Sequence, residues 1–185
     1  MSRIVAIAFG AVIAIAGTAL AQHQQPYAGF QARTIKSLSD QQIADLKAGR
    51  GMGSALAAEL NGYPGPSHVL ELATELGLTD AQRASVAAQF AAMKDETVPI
   101  GEQLLNEEAD LNRQFASRTV TPMSLTAATD AIGKTQAALR EAHLKYHLAT
   151  ADLLTADQMT RYAVLRGYAN SGQPAHEHMR HAEPD

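Results

Sequence analysis

Between residues 79 and 153, apolar and small residues recur at steps of three and four, and we call each such row a seam. This is the period of α-helices that bury one face. One such stretch follows Thr79 and another follows Thr121, with a short break over residues 118–122. Because a short connection joins the two predicted helices, we expect them to pack antiparallel. The first seam comprises Val86, Phe90, Met93, Thr97, Ile100, Leu104, Leu111 and Phe115. The second comprises Leu125, Ile132, Leu139, Tyr146 and Leu153, with Ala128, Thr135, Ala142 and Ala149 between them.

Shorter helices are predicted to flank this pair, which makes the fold all-α. Ser39 and Gln42 form a capping box that opens a helix ending at Gly49. Pro99 falls inside the first long helix and is expected to kink it without ending it, because the seam resumes in register beyond it. The remaining predicted helices span residues 55–60, 68–76 (capped by Ser67) and 156–168.

One five-residue pattern, Leu-Thr-x-x-Gln, occurs twice, at residues 78–82 and 154–158. In each copy the Thr is suited to be an N-cap, and the Gln three residues later can close a capping box. Each pentad follows an apolar segment predicted to be helical. The two copies therefore mark the starts of two helices.

The ends of the chain differ from the helical region. Residues 1–21 combine a charged start, an apolar run and an Ala-x-Ala cleavage site, as secretory signal peptides do, and an uncleaved anchor is the alternative. We therefore expect cleavage and export to a bacterial periplasm. The mature chain is expected to have a flexible leader (22–37), a helical domain (38–168) and a disordered His-rich tail (169–185).

Composition excludes several classes of function. The 185 residues contain no Cys, which rules out disulfides, thiol catalysis and zinc–thiolate sites. The net charge is −4 and no basic block is present, which argues against nucleic acid as a partner. The sequence shows no Ser-His-Asp order, zincin motif or phosphate-binding loop, and the glycines at 49, 51 and 53 are interpreted as a turn between helices. We therefore predict a non-enzymatic protein without an obligatory cofactor.

Histidine spacing suggests metal binding. His143 and His147 lie one turn apart on one edge of the second long seam, a spacing that can chelate a divalent ion. We expect both imidazoles to border the packed interface. Further candidate ligands for Zn, Ni, Co or Cu are His68, Glu71 and Glu75 on one face of the third helix, and His176, His178 and His181 in the tail. For the histidines and carboxylates of the helices, the alternative is a polar surface that faces water.

The two pentads, at residues 78–82 and 154–158, resemble the Spy/CpxP (LTxxQ) family. The Tyr-Pro-Gly-Pro corner at 63–66 and the segment 142–144 are similar to its heavy-metal-resistance and sensor branch. The resemblance implies a cradle of long antiparallel helices, a homodimer and a periplasmic role. The chain departs from the sensor pattern at Leu72, where a second His is expected, and at His147, where the branch has Met.

Two functions follow as expectations from this resemblance. One is ATP-independent, chaperone-like binding of unfolded or misfolded envelope proteins, combined with divalent transition-metal binding. The alternative is a heavy-metal sensor or resistance accessory protein that regulates a membrane signalling partner. A thin, Ala-rich helical layer leaves apolar surface exposed, which is consistent with the first.

Overall fold

The structure is a computed structural model and describes residues 26–169. The described residues form helices and turns without any strand, so the all-α prediction is confirmed. The predicted signal peptide and the tail residues His176, His178 and His181 lie outside the described residues. The helices are α1 (Asp40–Lys47), α2 (Leu56–Glu59), α3 (Pro66–Glu71), α4 (Asp80–Ala116), α5 (Pro122–Ala151) and α6 (Ala156–Leu165), preceded by a 3-10 turn at Phe30–Ala32.

The long helices α4 and α5 contact each other through polar side chains. Glu96 contacts Lys145, with Nζ donating to Oε1 at 2.6 Å. Further along α4, Glu107 accepts a hydrogen bond from Thr135 of α5 at 3.0 Å, so partner numbers fall on α5 as they rise on α4. The α4 helix continues for 37 residues through Pro99, as the unbroken seam predicts. None of the helices in the described part of the chain is long and apolar enough to cross a membrane.

Capping boxes define the starts of four helices. The side chains of Ser39, Thr79, Thr121 and Thr155 each accept a hydrogen bond from the backbone N–H three residues on, and the side chain at that third position bonds back. Each box satisfies backbone N–H groups that a helix start would otherwise leave unpaired. The predicted starts of these four helices are therefore confirmed.

The two Leu-Thr-x-x-Gln pentads meet in space. Gln82 Nε2 donates to Gln158 Oε1 at 2.8 Å, and Gln158 Nε2 lies 3.1 Å from Gln82 Oε1. Gln82 Nε2 also donates to the carbonyl oxygen of Leu153 at 2.9 Å. Each Gln oxygen still accepts the bond that closes its own capping box. The starts of α4 and α6 are thus joined by their capping side chains.

The third helix differs from the sequence prediction. It begins at Pro66 with Gly65 as its N-cap, so the prediction of Ser67 as the cap is wrong. Proline has the φ of a helix and lacks an N–H, which suits it to the first turn. The helix ends at Glu71, and the chain then turns toward Gly77 instead of continuing as a helix to residue 76. Val69, in the middle of this helix, is nevertheless fully buried, as the predicted apolar face requires.

The folded region begins before the predicted domain boundary at residue 38. Ile35 is 6% exposed and packs in one core cluster with Leu46, Leu104 and Leu105. Ser37 Oγ donates to Glu108 Oε2 at 2.7 Å. A single apolar residue without periodic neighbours gives no pattern in the sequence, which is why the sequence indicates a leader over this segment.

Candidate functional site

A cavity of about 630 Å³ lies among α2, α3, the first half of α4, the last third of α5 and the loop over residues 49–53. Its walls include His68 of α3 together with His143 and His147 of α5, so the fold brings the candidate histidines of the described region together. Glu71 also lines the cavity, whereas Glu75 is exposed and does not. The volume falls within the usual range of small-ligand sites, about 300–1,000 Å³.

Glu59 is the charged group around which one wall of the cavity is built. It is only 5% exposed, and its Oε1 accepts hydrogen bonds from the hydroxyls of Tyr162 and Tyr168. Oε2 accepts the backbone N–H of Gly65 at 3.1 Å. Arg166 Nε lies 3.6 Å from Oε1 and supplies the opposite charge. Buried carboxylates need this degree of pairing, because desolvation of an isolated charge is costly.

Tyr162 of α6 donates its hydroxyl hydrogen bond to Glu59 from a buried position. It is 2% exposed, and burial followed by the nearby Glu59 carboxylate raises the pKa of its hydroxyl far above the usual value. The hydroxyl therefore stays protonated and donates to Glu59 throughout the physiological pH range. Glu59, Tyr162 and Arg166 carry no signal in the sequence, because a four-residue helix such as α2 has no readable periodicity and the contact between Glu59 and Tyr162 spans about a hundred residues of chain.

His147 is arranged as a neutral imidazole with one nitrogen directed by the backbone. Its Nδ1 lies 2.7 Å from the carbonyl oxygen of Tyr63, and because a carbonyl only accepts, Nδ1 carries the proton. Burial lowers the pKa of His147, and this effect exceeds the opposing ones of the Tyr63 hydrogen bond and Glu59. Nε2 is therefore the unprotonated nitrogen. A Cβ on Gly65 would lie 2.9 Å from Nε2, so the glycine leaves room beside this atom.

His68 brings a second imidazole to the same carboxylate. Its Nδ1 lies 3.3 Å from Glu59 Oε1, yet the geometry is not that of a hydrogen bond, and this buried atom finds no hydrogen-bond partner among residues 26–169. The side chain as a whole is 37% exposed. An unpartnered buried nitrogen beside a carboxylate oxygen is an arrangement in which a cation would be stabilised.

His143 is fully enclosed by α5 and the loop over residues 49–53. It is 3% exposed, with Nδ1 2.9 Å from the carbonyl oxygen of Leu139 and Nε2 3.3 Å from that of Gly49. Both ring nitrogens thus face carbonyl oxygens. The sequence predicts that His143 and His147 border the interface of the two long helices; in the structure the loop over 49–53 and the corner at 63–66 also cover this part of α5, so both imidazoles are buried. A Cβ on Gly51 would lie 3.1 Å from His143 Cδ2, so the glycine permits that close cover.

The side chains of the site offer nitrogen and oxygen atoms that can ligate a metal, but they do not form a complete coordination shell among the described residues. No three His, Asp or Glu side chains of residues 26–169 already stand together as a metal-binding group. Comparisons of the chain with protein-family models, with curated proteins and with solved structures return no match.

Proposed function

We propose that this chain is a non-enzymatic periplasmic stress protein of the Spy/CpxP type that binds a divalent transition metal through His68, Glu59 and His147. The observation that supports the proposal most strongly is the unpartnered Nδ1 of His68, 3.3 Å from the Glu59 carboxylate. Two imidazoles and a carboxylate form a donor set that suits Zn, Ni, Co or Cu. Glu71, on the same cavity wall, is a further candidate donor.

The surroundings of these side chains match those of metal ligands in general. A metal-binding His usually donates its second ring N–H to a carbonyl or carboxylate, as His147 does to Tyr63. The neutral state of His147 is the one that ligates, so burial prepares it for binding. Because His68 is partly exposed, it can turn toward Glu59 at little cost in packing.

Replacing His147 or His68 with Ala is expected to weaken Zn and Ni binding by about 10–100-fold. Binding should be measured by titration calorimetry on the mature chain with His176, His178 and His181 replaced by Ala, so that the tail contributes nothing. The affinity should fall on acidification, because protons compete with the metal for the imidazole of His147. Because burial lowers the pKa of His147, protons should displace the metal from this imidazole only at a pH below the usual value of about 6.5.

Glu75→Gln is the matched control, because Glu75 is exposed and lies outside the cavity. It should bind metal as the parent does. Unchanged affinity and stoichiometry in both His variants would rule out this site. The tail histidines would then remain a separate predicted chelator.

Exposed apolar side chains favour client binding as a second function of the same protein. Met52, Leu56 and Leu60, on and beside α2, are 42%, 53% and 57% exposed. Met52 and Leu56 also line the mouth of the cavity. We propose that this α2 surface holds apolar segments of unfolded envelope proteins, within a cradle formed by a homodimer. In the sensor alternative, metal binding regulates a membrane partner through the same chain.

Leu56→Asp combined with Leu60→Asp is expected to abolish most suppression of client aggregation. Light scattering of a chemically unfolded client, diluted without ATP at near-stoichiometric ratio, would measure this. Ala57→Asp adds one negative charge at an exposed position of the same helix and should retain activity. If the parent protein itself fails to suppress aggregation, the chaperone proposal is lost and sensing becomes the working function.

A further inference from the structure

The C-terminal turn of α6 folds back onto the carboxylate of the proposed site. Arg166 Nε lies 3.6 Å from Glu59 Oε1 and also donates to the Tyr168 hydroxyl at 3.3 Å. That hydroxyl in turn donates to Glu59 Oε1 at 3.2 Å. Gly167 adopts a φ of 73°, which reverses the chain and allows residues 166 and 168 to face Glu59 together. Residues 166–168 are thus tied to Glu59.

We propose that Arg166 is a built-in cation that occupies the Glu59 carboxylate and is displaced when the site takes up a divalent metal. This inference rests on the proposed function and adds a residue that sets the affinity of that site. It also links the site to the C-terminal turn at residues 166–168.

Charge balance at Glu59 is the physical reason why a divalent metal would displace Arg166. Glu59 carries one negative charge, and Arg166 already balances it at a side-chain exposure of 29%. A divalent ion on Glu59 would stand close to the guanidinium, and like charges in a partly buried setting repel strongly. The other charged groups on the cavity wall are Asp45, Arg50, Glu71 and Lys94; Arg50 and Asp45 pair with each other.

Displacement of Arg166 has a consequence for the chain beyond the site. The Arg166–Tyr168 hydrogen bond and the Tyr168–Glu59 hydrogen bond form one chain of contacts, so both weaken when Arg166 leaves. Tyr162 lies one turn earlier, is buried and can remain bonded to Glu59. Coupling of this kind is reciprocal: whatever loosens the C-terminal turn strengthens metal binding by the same factor.

The test compares Arg166→Gln with Arg161→Gln in the mature chain carrying the three tail His→Ala replacements. Arg161 is an exposed cation of the same helix that makes no recorded contact with Glu59 among the described residues. Zn affinity by calorimetry should rise about tenfold in Arg166→Gln and stay at the parent value in Arg161→Gln. Arg166→Lys retains the charge and should bind less tightly than Arg166→Gln. Hydrogen exchange at residues 166–168 of the parent should accelerate when Zn is added.

The outcomes separate this inference from the proposed function. If Glu59→Gln weakens Zn binding while Arg166→Gln binds no more tightly than the parent, competition by Arg166 is refuted and the metal site stands. Unaltered exchange at 166–168 in the parent with Zn bound would likewise refute release of the turn, even if a variant folds poorly. If Glu59→Gln binds Zn as the parent does, the site does not include Glu59 and both proposals fail.

Discussion

Gly101→Ala is expected to destabilise the protein by about 3 kcal/mol, at the upper end for an overpacked core. Gly101 lies in the middle of α4, where α1 crosses it. An added Cβ would stand 2.6 Å from the carbonyl oxygen of Leu46 and 3.1 Å from its carbonyl carbon. Because these are backbone atoms, no side-chain rotation relieves the clash, and α1 must move away from α4. Leu46, which is 2% exposed, would lose its packing.

Gly133→Ala is the matched control for this change. Gly133 lies in α5, and among the described residues nothing is within 4 Å of a Cβ built on it. Alanine there should stabilise the helix by about 1 kcal/mol, because glycine is the less favourable helix former. Urea unfolding followed by circular dichroism would measure both. Equal effects of the two substitutions would show that α1 does not press on Gly101.

Glu59→Leu is expected to cost about 3 kcal/mol of folding stability, as when one partner of a buried charged group is removed. The substitution leaves the Tyr162 hydroxyl, the Gly65 N–H and the Arg166 guanidinium without their acceptor. Glu59→Gln retains an oxygen that can accept from Tyr162, so it should cost less than Glu59→Leu. The order of the two losses tests whether hydrogen bonding to this oxygen matters in addition to its charge.

Glu75→Leu is the control for the Glu59 substitutions. Glu75 is exposed, so its replacement should change stability by no more than about 0.5 kcal/mol. Thermal unfolding of the metal-free proteins at pH 7 would give the comparison. A Glu59→Leu variant as stable as Glu75→Leu would contradict a structural role for the buried carboxylate.

The sequence predicts the helices of this fold better than it predicts the site. The starts of α1, α4, α5 and α6 depend on local capping chemistry, which a few consecutive residues specify completely. The periodic seams likewise identify α4 and α5, since Val86, Leu104, Ile132 and Leu139 are buried as expected. The start of α3 lies two residues before the predicted one, because a cap at Ser67 leaves out Pro66, which suits the first turn of a helix.

The site depends on contacts that no short segment encodes. His68, His143 and His147 are recognisable as candidates by residue type, but the burial of His143 and His147 depends on two loops that close over α5. Glu59 looks like a surface residue in the sequence, and only the arrival of Tyr162 and Arg166 from α6 makes it the centre of a site. The glycines at 51 and 65, interpreted from sequence as parts of turns, matter because their missing Cβ atoms let the backbone approach the two imidazoles.

The paired glutamines also bear on the order in which the chain can fold. Gln82 and Gln158 are 76 positions apart, yet each helps to cap its own helix while bonded to the other. When residue 82 has been synthesised and residue 158 has not, the start of α4 has its local capping box but lacks the second partner for its amide. The side-chain amide of Gln82 at the start of α4 therefore gains these hydrogen bonds only when α6 docks. A chain released without residues 154–158 should hold the start of α4 more loosely, although its own capping sequence is intact.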